Sequence, residues 1–248
     1  MTVLPGWARE AIAGKPADVF DPPGGAAPRF AVLYLHPVGL EMPSDNEAYT
    51  AELARHGLAC CAPHGARSWW ADRVCPEFDP ALTAERHLLG NVLPWMQDRW
   101  RLGPRAVAAA GISMGGQGVV RLGFKHPEVC PVVASVAGAF DYHELYGRGT
   151  PLDEMYDSKE QCRQDTAILH IDPNRFPPHV WFACDPADAD WYRGNDRLHE
   201  KLTALGLSHT ADLETHAGGH TWAYFDRMAG PMFAFIAAAL QKESRRLA

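Results

Sequence analysis

Short runs of consecutive apolar residues alternate along the chain with longer stretches in which apolar positions recur every three or four residues. The apolar runs occupy residues 30–35, 58–62, 106–112, 131–136 and 179–184. Such runs are typical of strands that are buried on both faces of a parallel sheet. Helical spacing is found in residues 46–56, 82–100, 114–126, 195–205 and 224–242. The alternation predicts an α/β fold, with a mostly parallel central sheet and helices on both faces.

Two features interrupt this pattern. Pro231 lies inside the last helical stretch, which predicts either a kink or a helix that restarts with Pro231 in its first turn. Residues 140–178 are long, polar and rich in aromatic and charged side chains. Long insertions in compact domains often form lids or binding loops, so we expect this one to form part of a substrate pocket. No repeat or linker divides the chain, and residues 1–248 are predicted to form one domain.

Composition limits the classes of protein to which this chain can belong. The chain has 248 residues, of which 47% are hydrophobic, and this length supports a sizeable core. Its 30 acidic residues exceed its 23 lysines and arginines, which argues against a nucleic-acid partner. The longest apolar run, residues 232–240, is shorter than the ~20 residues of a membrane span. Six cysteines without a C-x-x-C pair, and no secretory signal pattern, predict a cytoplasmic location.

A short motif follows the apolar run at residues 106–112. Residues 111–116 read Gly-Ile-Ser-Met-Gly-Gly, which matches G-x-S-x-G between a predicted strand and a predicted helix. In this context a strained turn projects the serine hydroxyl above the sheet, and the two glycines remove collisions with neighbouring backbone. Ser113 is therefore the candidate nucleophile. The N–H of Met114, at the start of the helix, is a candidate donor to an oxyanion.

A serine nucleophile needs a base, and in this arrangement an acid and then a histidine follow the serine along the chain. His220 is the candidate base, because two glycines precede it in a loop after a strand-like segment at residues 209–215. The acid is expected in the loop that follows residues 179–184. Three aspartates compete there: Asp185, Asp188 and Asp190. Spacing from the strand end favours Asp188, with Asp190 second.

A zinc site is the alternative interpretation of the histidine loop. His216 and His220 are four residues apart, as in helical zinc pairs. Gly218 and Gly219 lie between them and disfavour the helix that would bring both imidazoles to one face. We therefore predict no metal site here.

The loop after the first long apolar run is expected to supply a second oxyanion donor. Pro37 has no N–H, so the natural donor is Val38, with Gly39 as the fallback. Trp69 and Trp70 follow another predicted strand on the same edge of the sheet and are candidates to line a substrate pocket. Tryptophans in such places are as often part of the core.

Together these motifs resemble the α/β-hydrolase superfamily, and most closely its putative-esterase branch, which includes S-formylglutathione hydrolases, feruloyl esterases and mycolyltransferases. The likeness rests on residues 35–38, 111–116 and 218–220 and on the aspartate loop. It implies Ser113 as nucleophile, His220 as base and Asp188 as acid. The chain departs from the usual pattern at Pro37 and at Asp185, where the family commonly has glycine.

The resemblance also implies a reaction and a substrate class. We expect a serine esterase that cleaves small-molecule carboxylic esters through an acyl-enzyme, with no metal or organic cofactor. Three alternatives fit the same residues: a thioesterase, an acyltransferase and a catalytically silent binding protein of this fold. The acyl and alcohol groups are set by pocket shape, which the motifs do not specify.

Overall fold

In the computed structural model, residues 4–246 are described, and their strands form one eight-stranded sheet. The strand order is β1-β2-β4-β3-β5-β6-β7-β8. Strand β2 runs antiparallel to both of its neighbours, and all other neighbouring pairs are parallel. The strands are β1 (Trp7–Ile12), β2 (Lys15–Phe20), β3 (Ala31–Leu35), β4 (Ala59–Pro63), β5 (Val107–Ile112), β6 (Val132–Val136), β7 (His179–Ala183) and β8 (Thr210–Asp212).

Helices connect these strands and follow the last one. The α-helices are α1 (Glu47–His56), α2 (Ala84–His87), α3 (Leu93–Trp100), α4 (Met114–Lys125), α5 (Leu152–Met155), α6 (Lys159–Gln164), α7 (Tyr192–Ala204) and α8 (Trp222–Arg246). A π-helical segment, Leu88–Val92, joins α2 to α3. Short 3₁₀ helices occupy Pro43–Asp45, Tyr142–Leu145 and Ala167–Leu169.

The sheet is buried on both faces, as the continuous apolar runs predict. In β5, Ala109 packs into the core that α2, α3, α4 and α7 share, whereas Ala108 and Ala110 face the core of α1 and α8. Each strand therefore needs apolar side chains at consecutive positions. The predicted α/β fold, with helices on both faces of a mostly parallel sheet, is confirmed.

The structure corrects one prediction and adds elements that the sequence pattern did not indicate. The N-terminal hairpin of β1 and β2 was not predicted from the apolar runs. Helix α8 continues through Pro231, so the alternative in which a helix restarts there is wrong. Residues 140–178, which are expected to form part of a substrate pocket, contain α5, α6 and two of the 3₁₀ helices. The predicted domain bounds include residues 1–3 and 247–248, which lie outside the described residues.

Topology places the carboxyl ends of β3, β5 and β7 at one edge of the sheet, because these strands are parallel. The loops that carry the candidate residues leave the sheet at this edge, as is usual for sites in α/β folds. None of the helices within residues 4–246 is long and apolar enough to cross a bilayer.

Candidate active site

Ser113 occupies a strained turn between β5 and α4. Its φ of 54° and ψ of −114° lie outside the regions that side-chain-bearing residues normally adopt. Backbone bonds hold the turn: the Ser113 N–H donates to Val136 O at 3.0 Å, and the Ala139 N–H donates to Ser113 O at 3.0 Å. The side chain is fixed at the sheet edge and lines a cavity there.

The glycines on either side make this turn sterically possible. A Cβ at Gly115 would lie 1.8 Å from the carbonyl oxygen of Leu35, and one at Gly111 would lie 2.5 Å from the carbonyl carbon of Gly115. Both contacts are with backbone, which cannot move aside as a flexible side chain can. The prediction that these glycines remove collisions with neighbouring backbone is confirmed.

The structure brings Ser113, His220 and Asp188 together across the sheet edge. His220 Nε2 lies 3.0 Å from Ser113 Oγ, and His220 Nδ1 lies 2.7 Å from Asp188 Oδ2. Because an ionised carboxylate only accepts, this geometry assigns the proton to Nδ1 and leaves Nε2 free to accept from the serine hydroxyl. Phe225 packs edge-on against the imidazole, with 5.0 Å between ring centroids.

Asp188 is held by donors other than the histidine. Its Oδ1 accepts the N–H groups of Asp190 at 3.2 Å and Trp191 at 3.0 Å. The Cys184 thiol lies 3.7 Å from Oδ2. These contacts fix the carboxylate plane towards the imidazole. Asp190, the second candidate acid, contributes a backbone donor to Asp188, whereas the hydrogen-bond acceptor for His220 Nδ1 is Asp188.

Asp185 holds the histidine loop in place, a role that the sequence did not predict. Its buried carboxylate accepts from His216 Nδ1 at 2.8 Å and from the N–H groups of Ala217 at 2.6 Å, Gly219 at 2.9 Å and Ala187 at 2.7 Å. Burial raises the pKa of Asp185, but these hydrogen bonds outweigh that effect and hold it well below its usual range. The departure from glycine at this position therefore has a structural role.

The two histidines of this loop are committed to different carboxylates. His216 Nδ1 bonds to Asp185, whereas His220 Nδ1 bonds to Asp188. Within residues 4–246 no group of three His, Cys, Asp or Glu side chains is arranged to hold a metal ion. The geometry of the loop is thus that of two separate imidazole–carboxylate pairs.

Two backbone amides close to Ser113 in the structure are the candidate oxyanion donors Met114 and Val38. Met114 follows Ser113 at the first position of α4, and Val38 follows β3 in a turn closed by the Leu40 N–H and Pro37 O at 3.0 Å. Among the described residues, neither the Val38 nor the Met114 N–H donates to a protein acceptor. Val38 is 42% exposed and lines the same cavity as Ser113.

His36 supports the Val38 turn from beneath. Its Nδ1 donates to Pro37 O at 2.7 Å, and its Nε2 accepts from the Gly65 N–H at 3.0 Å. Burial of the imidazole lowers its pKa to about 4, so the ring stays neutral. Both ring nitrogens are occupied by backbone, which fits a structural role for His36.

The two neighbouring tryptophans have different surroundings. Trp69 lines the cavity and stacks on Tyr142, with 5.1 Å between ring centroids. Trp70 is buried instead against His36, and its Nε1–H donates to His36 O at 3.2 Å. The prediction that Trp70 lines the substrate pocket is therefore wrong: its indole fills the space beside Gly118 and braces the loop after β3.

The cavity at Ser113 has a volume of about 760 Å³. One wall comes from the loops that carry Val38 and Trp69, and a second from the start of α7 at Trp191. Residues 141–151, the first part of the long insertion, also contribute to the lining. A cavity of this size accommodates a small organic ligand.

A buried ion cluster ties the insertion to the helices beneath it. Arg121 of α4 is almost fully buried and pairs with both Glu85 and Asp165. Burial raises the pKa of Glu85, but a hydrogen bond from His126 and the charges of Arg121 and Lys125 outweigh it and bring it to about 2. The cluster fixes the segment that leads to the cavity wall.

Replacing Arg121 by methionine leaves the buried carboxylate of Glu85 and the partly buried one of Asp165 without their shared cation. We expect the free energy of unfolding to fall by about 3 to 5 kcal/mol, measured by urea denaturation. Arg163→Met is the matched control, because Arg163 lies in the insertion that Arg121 binds through Asp165 but pairs with Glu160 at the surface. That control should cost less than about 1 kcal/mol. Equal losses in the two variants would contradict the role given to Arg121.

Comparison with known proteins places the chain in a family. A family model described as "Putative esterase" matches residues 56–235, which is most of the chain. The chain belongs to this family. It is therefore a member of the putative-esterase branch of the α/β-hydrolases, and family membership supports ester hydrolysis as its activity. No curated protein sequence matches the chain.

Solved structures show the same fold in proteins that share little sequence with this esterase. A ferulic acid esterase has a TM-score of 0.74 at 16% identity, covering 91% of this chain and 93% of that one. An S-formylglutathione hydrolase from Agrobacterium tumefaciens has a TM-score of 0.73 at 16% identity, covering 94% of each chain. FphF, a fluorophosphonate-binding serine hydrolase of Staphylococcus aureus, has a TM-score of 0.72 at 16% identity, covering 90% of this chain and 92% of that one.

Proposed function

We propose that this esterase hydrolyses carboxylic esters with Ser113 as nucleophile, His220 as general base and Asp188 as the acid that orients the imidazole. The observation that carries the proposal is the continuous chain of contacts, 3.0 Å from Ser113 Oγ to His220 Nε2 and 2.7 Å from His220 Nδ1 to Asp188 Oδ2. This chain of contacts opens onto a cavity large enough for a small ligand.

In the first step Ser113 Oγ attacks the ester carbonyl carbon while its proton passes to His220 Nε2. The carbonyl oxygen becomes an oxyanion, which the N–H groups of Val38 and Met114 stabilise. Collapse of this intermediate breaks the bond to the alcohol, which leaves with the proton from His220. The product of the step is an acyl group on Ser113.

Water completes the reaction. It attacks the acyl carbon while His220 accepts a proton from it, and collapse of the second intermediate returns that proton to Ser113 Oγ. Asp188 stays ionised and stabilises the imidazolium that forms in each step. An alcohol in place of water would make the same site an acyltransferase, and a thioester in place of the ester would make it a thioesterase. Product analysis with added alcohols and thioesters separates these reactions.

A fluorophosphonate tests the nucleophile directly, because the activated serine displaces fluoride and retains the phosphorus. We expect stoichiometric labelling of the native protein, with the modification on the peptide that contains Ser113 in mass spectrometry. Labelling should block hydrolysis of p-nitrophenyl acetate. Heat-denatured protein is the control and should take up no label, because it lacks the His220 contact.

Two results would refute the proposal. Label on a residue other than Ser113, together with loss of activity, would move the nucleophile elsewhere. Hydrolysis that continues at full rate in fully labelled protein would remove Ser113 from the reaction. Absence of both label and hydrolysis would favour a binding protein with this fold.

A further inference from the structure

The lining of the Ser113 cavity is rich in cationic side chains, although the chain as a whole carries a net charge of −7. Four arginines line the cavity: Arg67, Arg148, Arg193 and Arg197. Three carboxylates line it as well: Asp141, Glu144 and Asp190. What matters for a ligand is how many of these charges are already neutralised by neighbours.

Two of the arginines have acidic partners. Arg67 forms a two-pronged pair with Glu77, and Arg197 pairs with Asp141. These contacts occupy some of their N–H donors and balance their charges locally. These two side chains therefore act mainly as parts of the wall.

The other two arginines have no such partner. Among residues 4–246, neither Arg148 nor Arg193 lies within salt-bridge distance of a carboxylate, and neither guanidinium makes a side-chain hydrogen bond. Glu144 is paired with Lys159, so Asp190 is the one lining carboxylate that has no cationic partner in the described residues. The unpaired charge of the lining is positive.

The carboxylate of Asp153 fixes the backbone that carries Arg148. The N–H groups of Gly147 and Gly149 donate to Asp153 at 2.6 and 2.9 Å. Both glycines have a positive φ, 82° and 73°, which a side chain would disfavour. This tight loop places Arg148 at the cavity while leaving all of its guanidinium donors available.

The backbone that carries Arg193 is fixed as well. Arg193 lies in the first turn of α7, where the Tyr192 N–H donates to Asp188 O at 3.1 Å and Asn195 Nδ2 donates to Gly138 O at 2.9 Å. The first turn of α7 contains no acidic residue. The helix dipole there also favours a negative charge, so it adds to the effect of Arg193.

We propose that the preferred substrate of this esterase carries a carboxylate, which Arg148 and Arg193 bind from the cavity lining. Guanidinium groups suit this task, because their paired N–H donors match the two oxygens of a carboxylate. The inference rests on the proposed function and specifies its substrate class. It concerns the part of the ester that does not react.

Matched esters that differ only in charge test this proposal. For an anion on the acyl side, the pair is p-nitrophenyl hydrogen glutarate and its methyl ester. For an anion on the alcohol side, the pair is meta-acetoxybenzoate and its methyl ester. The readout is the ratio of kcat/KM for the anionic ester to that for its neutral methyl ester. It is measured in the wild type, in Arg148→Gln and in Arg193→Gln.

In at least one pair, each substitution should lower this ratio about 5- to 10-fold, the range of a charge-assisted hydrogen bond near the surface. Raising NaCl from about 20 mM to about 0.5 M should lower the wild-type ratio, because salt screens such contacts. Arg29→Gln is the control. Arg29 is an exposed arginine just before β3, at the opposite end of the sheet, and its loss should leave the ratio unchanged.

The outcomes separate this inference from the function on which it rests. Ratios that stay within about twofold of the wild type in both variants and both pairs, while neutral esters are hydrolysed, would overturn the carboxylate site alone. Ratios that fall equally in Arg29→Gln would also overturn it, because the effect would then come from overall charge. Absence of hydrolysis of every ester would overturn both proposals together.

Discussion

Replacement of Ser113 by alanine is expected to lower kcat for ester hydrolysis by about 10⁶-fold, the size of loss seen when a triad serine is removed from a serine protease. Without Oγ no acyl-enzyme forms, and only the amides of Val38 and Met114 and the cavity remain to assist direct attack by water. The measurement is steady-state hydrolysis of p-nitrophenyl acetate by purified variant and wild type.

Stability should change little in this variant. Alanine and serine have a similar conformational strain energy at a φ of 54°. The backbone hydrogen bonds to Val136 and Ala139 do not involve the side chain. Ser208→Ala, at an exposed position, is the matched control and should keep full activity. A loss below about tenfold in Ser113→Ala, with the thermal midpoint unchanged, would exclude Ser113 as the nucleophile.

The sequence predicted the parts of the fold in which burial is complete. All five continuous apolar runs correspond to strands, β3 to β7, because a strand covered on both faces needs apolar side chains at every position. Strand β1 is the outermost strand of the sheet and has exposed residues in its middle, and β2 lies next to it. The connection through Ala13 and Gly14, both with positive φ, is a two-residue hairpin turn that the apolar pattern does not reveal.

The candidate site likewise has one part that the sequence predicts and another that it does not. Ser113 and its glycines were found because the steric requirements of the turn act within a few residues. The surroundings of Trp69 and Trp70 could not be read from the sequence: the two residues are adjacent, both have a positive φ near 54°, and yet they pack against different loops. Contacts between distant loops decide which of them reaches the cavity.

The aspartate loop shows why the sequence alone does not identify the acid that pairs with His220. Three carboxylates within six residues have similar spacing from β7, and only the folded histidine loop distinguishes them. Asp188 faces the imidazole of His220, whereas Asp185 binds the backbone on which that imidazole is carried. Asp190 remains in the cavity lining. One short loop thus holds a carboxylate for the imidazole and another for the loop that positions it.

Asp188→Asn tests this division and is expected to lower kcat by about 10⁴-fold, as in a triad whose acid is replaced by its amide. The amide can donate to His220 Nδ1, which favours the tautomer with the proton on Nε2 and so removes the acceptor that Ser113 needs. Asp190→Asn should cost less than about tenfold, because its N–H, which is retained, is the group that contacts Asp188. Kinetics with p-nitrophenyl acetate compare the two variants. If Asp190→Asn loses as much as Asp188→Asn, or more, the acid has been assigned to the wrong carboxylate.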